Sequence, residues 1–203
     1  MSDFSIVTAT FNAGGSIRRC LQSVRENRLA ETEHLVIDNQ SSDDTLEKVR
    51  AFGNVRVISE KDNGIYEAMN KGIRSAGNEL TACLNADDAY LPGTLEAVKE
   101  RFESVPESDI VYGNILVNGR EVKPPGGIAS FGGARIFHPA AFIRRSLFER
   151  IGYFDESFRI CADLDFFLRA KESGAVFTYL DRPLTDFALG GLSTVRRKQT
   201  AAE

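Results

Sequence analysis

An apolar and β-branched run covers Phe4–Thr10, and after a turn-prone Asn12–Gly15 segment apolar residues recur at Ile17, Cys20, Leu21 and Val24. A short continuous run followed by helical spacing predicts strand, loop and helix. Glu33–Asp38 repeats the strand signal. Ser41-Ser42-Asp43-Asp44 then supplies capping residues and first-turn acids for a helix carrying Leu46, Val49 and Phe52. Val55–Ser59 reads as a third strand, and Ile65, Ala68, Met69, Gly72 and Ile73 mark the next helix. Leu80–Leu84 is a fourth strand running into Asn85-Ala86-Asp87-Asp88, after which Pro92-Gly93-Thr94 opens a helix through Leu95, Val98 and Phe102. Strands alternating with helices at this pitch predict βαβ crossovers and an α/β fold built on a mostly parallel sheet.

From Asp109 the pattern changes. Ile110–Val117 and Glu121–Val122 flank Asn118-Gly119, the strongest short hairpin signal, and a Pro/Gly-rich stretch from Pro124 to Gly133 reads as a mobile loop. Ser146-Leu147-Phe148-Glu149 reads as a capping box opening a short helix that Gly152 ends, and Asp163–Ser173 as a second helix ended by Gly174. With 203 residues the chain predicts a single domain, 1–203.

Charge and composition narrow the function. Lys and Arg number 25 against 29 acids, a net charge of −4, so no chain-wide field is available to hold nucleic acid. Apolar runs fall far short of the ~20 residues of a membrane span, and Met1-Ser2-Asp3-Phe4 has no secretory pattern, so a cytoplasmic protein is expected. Cys20, Cys83 and Cys161 are widely spaced and odd in number, which suits reduced thiols. Only His34 and His138 could join them, so any metal is expected to be held mostly by oxygen.

Ligands in open α/β sheets bind beyond the carboxyl ends of the strands. Those ends carry Thr10-Phe11-Asn12, Asp38-Asn39-Gln40, Asp62-Asn63-Gly64 and Asn85-Ala86-Asp87-Asp88. Each alone is explained by a turn or helix cap. Asp87-Asp88 differs, because two adjacent acids after an apolar strand repel unless a cation or donor offsets them. Hard oxygen ligands suit Mg²⁺ or Mn²⁺ completed by substrate phosphates, with a simple turn before Pro92 as the competing reading. Phe11 reads equally as a core aromatic, Asp38 as a helix cap, and Asp163 as a first-turn acid favoured by the helix dipole. His138 either faces an acceptor or packs beside the sheet, and His34 reads as structural.

The chain resembles family 2 glycosyltransferases of the GT-A fold. The segments that carry the resemblance are Ser5–Asn12, Leu35–Thr45, Glu60–Ile73, Leu84–Asp88, His138–Phe142, Gly152–Asp155 and Ala162–Arg169, in order across about Ser5 to Ser193. What the resemblance implies is inverting transfer of a single sugar from a nucleotide-diphosphate sugar, with UDP favoured, aided by Mn²⁺ or Mg²⁺. The acceptor implied is a saccharide or lipid-linked molecule in cell-surface polysaccharide assembly. By position, Thr8, Phe11, Asn12 and Asp38 line the nucleoside pocket with Asp62 nearby. Asp87 lies nearer ribose and phosphate, Asp88 is the direct metal ligand, and Asp163 is the base. Residues 1–117 form the nucleotide-sugar half and 118–203 the acceptor and base half. Arg144-Arg145 and Arg196-Arg197-Lys198 are either solvated surface or a peripheral contact with an anionic membrane face.

The chain departs from the family pattern at Asn39-Gln40, where many members carry a second Asp or a Gly, and at Ala162, where many carry Glu. It also lacks the Gln-x-x-Arg-Trp motif of processive synthases, which points to single transfer. Competing functions fare less well. A haloacid-dehalogenase-type phosphatase needs an acid where Gln40 stands, and a nucleotidylyltransferase needs a basic, Gly-rich loop that Asn12-Ala13-Gly14-Gly15-Ser16 does not supply. A dinucleotide oxidoreductase needs a G-x-G-x-x-G that the chain lacks. A non-catalytic sugar-nucleotide binding module stays open.

Overall fold

The computed structural model describes residues 3–125 and 136–189. The elements run β1 (Phe4–Thr10), α1 (Ile17–Glu26), β2 (Glu33–Asp38), α2 (Thr45–Ala51), β3 (Arg56–Ser59), α3 (Ile65–Ser75), β4 (Leu80–Cys83), β5 (Ala89–Tyr90) and α4 (Thr94–Ser104). They continue as β6 (Ile110–Val117), β7 (Arg120–Val122), a 3₁₀ turn at His138–Ala140, β8 (Ala141–Arg144), α5 (Arg145–Ile151), α6 (Ala162–Glu172) and β9 (Phe177–Phe187).

One sheet joins them in the order β3-β2-β1-β4-β8-β6-β9-β5, with β7 paired to β6. The first four strands are parallel, as the βαβ alternation predicts. Beyond β4 the sheet is mixed: β8 pairs antiparallel with β4 and β6, and β9 runs parallel to β6 and antiparallel to β5. Pairing of Thr10 with Asp38 brings the carboxyl ends of β1 and β2 to one edge.

Both faces of the sheet are covered, which is why β1 is buried along its whole length. On one face Val7 and Ala9 pack with residues of α3, α5 and α6; on the other Phe4 and Ile6 pack with residues of α1 and α4. Gly72 lets α3 lie close on the sheet, because a Cβ there would come within 2.2 Å of Val7 Cγ1.

Three strands escape the periodicity reading, β5, β8 and β9. Pro183 interrupts the apolar run of β9, and the pairing with β6 absorbs it through register shifts at Gly113, Asn114 and Ile115. The expected hairpin forms, with Asn118 and Gly119 both at positive φ. The expected capping box does not: α5 starts one residue before Ser146, with Arg144 as its N-cap and no capping side chain. Ser41 and Ser42 do not cap α2 either; Asp43 accepts from the Thr45 amide at 3.0 Å instead. Beyond Pro125 the Pro124–Gly133 stretch lies outside the described residues, as do Ser193 and Arg196-Arg197-Lys198. Among the described residues no helix is long and apolar enough to cross a membrane.

Candidate active site

The strand ends converge on a cavity of about 620 Å³, a volume suited to one small ligand. Thr10, Phe11, Asn12, Asn39, Asp62, Asn85, Asp87 and His138 all line it. Phe11 is 60% exposed, which rules out the core-aromatic reading and leaves a ring face open to the cavity rim. Asn12 adopts a positive φ of 48°, and its side chain and amide tie the wall to the next loop. Its N–H donates to Ser41 Oγ at 2.8 Å and its Oδ1 accepts from the Ser42 amide at 2.9 Å.

Two residues assigned to the nucleoside pocket sit behind its wall. Thr8 is fully buried, its hydroxyl 2.9 Å from His34 Nε2 and 3.6 Å from Cys20 Sγ, because it shares a face of β1 with Thr10 but lies two residues farther from the carboxyl end of the strand. Asp38 is also fully buried and acts as a brace, accepting from the Ser41 amide at 3.1 Å and Ser59 Oγ at 2.7 Å. It caps no helix. Its neighbour Asn39 faces the cavity and links the second and third loops by accepting the Asp62 amide at 2.9 Å. Burial raises the Asp62 pKa from the ordinary carboxylate value.

The acidic pair divides by depth. Asp87 lines the cavity, while Asp88 is fully buried, taking the Ala188 amide on Oδ1 at 2.9 Å and Asn85 Nδ2 on Oδ2 at 3.1 Å. Burial, with Asp87 adding repulsion, pushes the Asp88 pKa up to about 6. The residues fit a hard divalent cation: the donors are oxygens, and Asn85 Oδ1 is buried with no hydrogen-bond partner. Thr10 Oγ1 on the same wall is likewise unpartnered. Among the described residues no group of three or more His, Cys, Asp and Glu is arranged to hold a metal, so Asp87 and Asp88 would leave coordination places for water and phosphate.

Asp88 also sets a test of pH dependence. A carboxyl whose pKa is raised in the folded state costs stability above that pKa and recovers it as pH falls toward the unfolded value. In chelator, the stability difference between Asp88→Asn and wild type should therefore shift in favour of wild type as pH falls from about 6 to 3.8, by at most about 3 kcal/mol. Melting curves of both proteins across that range check this; a gap independent of pH would contradict it.

Bonded to the cavity-lining His138, Asp163 sits at the second position of α6, whose N-cap is Cys161, so it is not a capping residue. Its Oδ2 is 3.0 Å from His138 Nδ1 and its Oδ1 accepts from the Tyr66 hydroxyl at 3.1 Å. Burial alone would raise the Asp163 pKa, but the hydrogen bond and charge of His138 outweigh it and hold it low. Burial likewise opposes charge on His138, and Asp163 reverses that, so the imidazole pKa is raised. Tyr66, Arg159, Ile160, Phe187 and Ala188 complete the cavity, none of them assigned from sequence. Asn85 carried a signal, its place at a strand end. Tyr66 stood inside a helical repeat and Arg159 in an unpatterned loop.

A strand-end cavity lined by Asp87 of the acidic pair and by His138 of a half-buried Asp–His pair matches the order of motifs seen in sequence. Residues 5–161 match the model of the family described as glycosyl transferase family 2. The chain belongs to that family. A PGL/p-HBAD biosynthesis glycosyltransferase of Mycobacterium bovis is 30% identical over 208 residues, which take in 94% of this chain and 78% of the relative. Among solved structures, S. aureus TarS 1–349 in complex with UDP-GlcNAc superposes with a TM-score of 0.80 at 22% identity, covering 96% of this chain and 61% of that one. The mannosyltransferase PcManGT of Pyrobaculum calidifontis, in complex with GDP-Man and Mn²⁺, gives 0.76 at 20% identity, covering 98% and 60%. The chain thus spans about three-fifths of the length of both solved relatives. The fold is that of GT-A glycosyltransferases.

Proposed function

We propose that the chain transfers a single sugar from a nucleotide-diphosphate sugar, UDP-linked by preference, to a saccharide or lipid-linked acceptor in cell-surface polysaccharide assembly. The observation that carries this is that Asp87 and His138 both line the cavity, with the buried Asp88 beside the one and Asp163 bonded to the other. TarS with UDP-GlcNAc and PcManGT with GDP-Man and Mn²⁺ support the donor class and the cation.

Phe11 offers its face to the nucleobase, and Asn12, Asn39 and Asp62 supply polar contacts around the nucleoside. Asp88, with Asp87 nearer ribose and phosphate, would hold Mn²⁺ or Mg²⁺, which when bound stabilises charge on the leaving diphosphate. Asp163 takes the proton of the acceptor hydroxyl as its oxygen bonds to the anomeric carbon and the bond to the diphosphate breaks. One displacement inverts that carbon. His138 lines the cavity with Nε2 engaged by Asn85 and Nδ1 by Asp163, so toward an acceptor it offers its ring and not a free nitrogen. The functional division places donor binding in residues 1–117 and the base in 118–203.

Release of UDP from a panel of UDP-sugars with Mn²⁺, with water and then a pooled set of saccharide acceptors, tests the proposal. Release that quickens with one acceptor supports transfer. Nucleotide binding without turnover of any donor would favour the non-catalytic module.

A further inference from the structure

Four residues from three separate parts of the chain form one continuous hydrogen-bonded line beside the cavity. Asp88 Oδ2 accepts from Asn85 Nδ2 at 3.1 Å, the same amide nitrogen lies 3.2 Å from His138 Nε2, and His138 Nδ1 lies 3.0 Å from Asp163 Oδ2. The chemistry of the amide fixes the rest. An NH₂ group only donates, so a neutral His138 must accept on Nε2 and carry its proton on Nδ1. That proton points at Asp163.

The ring is firmly mounted. His138 opens the 3₁₀ turn and precedes Pro139, whose fixed φ stiffens it, and the Pro139 carbonyl accepts from Thr185 Oγ1 of β9 at 2.7 Å. Tyr66 is a weaker restraint on the carboxylate. Its single hydroxyl hydrogen is shared between Asp163 and the Ile160 carbonyl, so it is not committed to either. Among side chains, the His138 Nδ1–H is the donor dedicated to Asp163.

We propose that His138 is a positioning residue: it orients the Asp163 carboxylate for proton abstraction, and Asn85 sets the tautomer while tying that geometry to the acidic pair. This rests on Asp163 being the base. Misplacing a reacting group by about an ångström costs as much as 10²-fold in rate, so loss of this donor should act on turnover and not on donor binding.

The test compares His138→Asn with His138→Gln. The Asn amide nitrogen can stand where Nδ1 stood and keep a donor toward Asp163, whereas the Gln amide reaches the Nε2 position and cannot. The probe is UDP release from whichever of UDP-glucose, UDP-galactose and UDP-N-acetylglucosamine wild type turns over fastest with Mn²⁺, water serving as acceptor. Calorimetric UDP affinity and melting temperature are measured beside it. His138→Gln should lower kcat roughly 10- to 100-fold with donor KM and UDP affinity within about twofold, and His138→Asn should recover most of it. Equal losses in the two variants, or a loss confined to KM, would overturn the proposal. If His138→Gln does not fold, a folded His138→Asn with kcat down more than about tenfold overturns it, and one near wild type upholds it. Asp163→Asn separates the two layers. Undiminished turnover there removes the base itself, whereas a large loss there with an indifferent His138→Gln removes only the positioning role.

Discussion

Asp163→Asn should lower sugar transfer by roughly 10²–10⁴-fold, the usual worth of general-base catalysis, while leaving fold and UDP affinity in place. The amide is nearly isosteric and its oxygen can still accept the His138 Nδ1–H. Its NH₂ group then faces the Tyr66 hydroxyl, whose hydrogen has the Ile160 carbonyl as a ready partner. No cap is lost, because Cys161 and not Asp163 is the N-cap of α6. Asp165→Asn is the control: Asp165 pairs with Arg169 at 2.8 Å, and Arg169 also holds the carbonyls of Ile151 and Tyr153. That is a brace between loop and helix, remote from proton transfer. Initial rates for both variants decide the matter, and near-wild-type transfer by Asp163→Asn would remove it from the chemistry.

Phe166→Ala should cost about 3–5 kcal/mol, lowering the melting temperature by roughly 6–20 °C for a chain of this size. Phe166 is fully buried on the inner side of α6, its ring stacked on Phe148 at 4.5 Å between centroids and edge-on to Phe154 at 5.3 Å. These rings join α5, α6 and the loop between them, so the same cluster that stabilises the fold fixes the helix bearing Asp163. Truncation leaves a cavity that helices locked by neighbouring rings cannot close. Leu164→Ala two positions away is the contrast, since Leu164 is 44% exposed and its loss should stay within about 0.5 kcal/mol. Scanning calorimetry of both variants checks this, and equal melting temperatures would deny Phe166 its part in the core.

The legible half of the molecule is the half governed by local periodicity. Apart from the two-residue β5, β1 through α4 follow from runs and spacings that their own residues impose, and the positive φ of Asn118 and Gly119 was written in the turn sequence. β9 was hidden because Asp181-Arg182-Pro183 breaks the strand signal, and only its partner β6, some 65 residues earlier and bulged to receive it, restores pairing. The same holds at the site. Asp87, Asp88 and Asp163 were visible as acids at element ends. Asp38 carried the same signal and Thr8 was assigned by the family resemblance alone; both lie behind the wall, because depth along the strand and tight loop bracing decide which side chain reaches the cavity. The His138–Asp163 pair joins residues 25 apart through a turn, and no spacing rule encodes that contact.

In the function proposed above, this cavity holds a nucleoside diphosphate through a divalent cation at Asp88. Titrating the wild-type chain with UDP by calorimetry, first with Mn²⁺ and then in chelator, and repeating with Asp88→Ala, tests it most directly. Saturable heat with Mn²⁺ alone, much weaker in chelator and in the variant, is the predicted result; equal affinity in all three conditions would contradict the account.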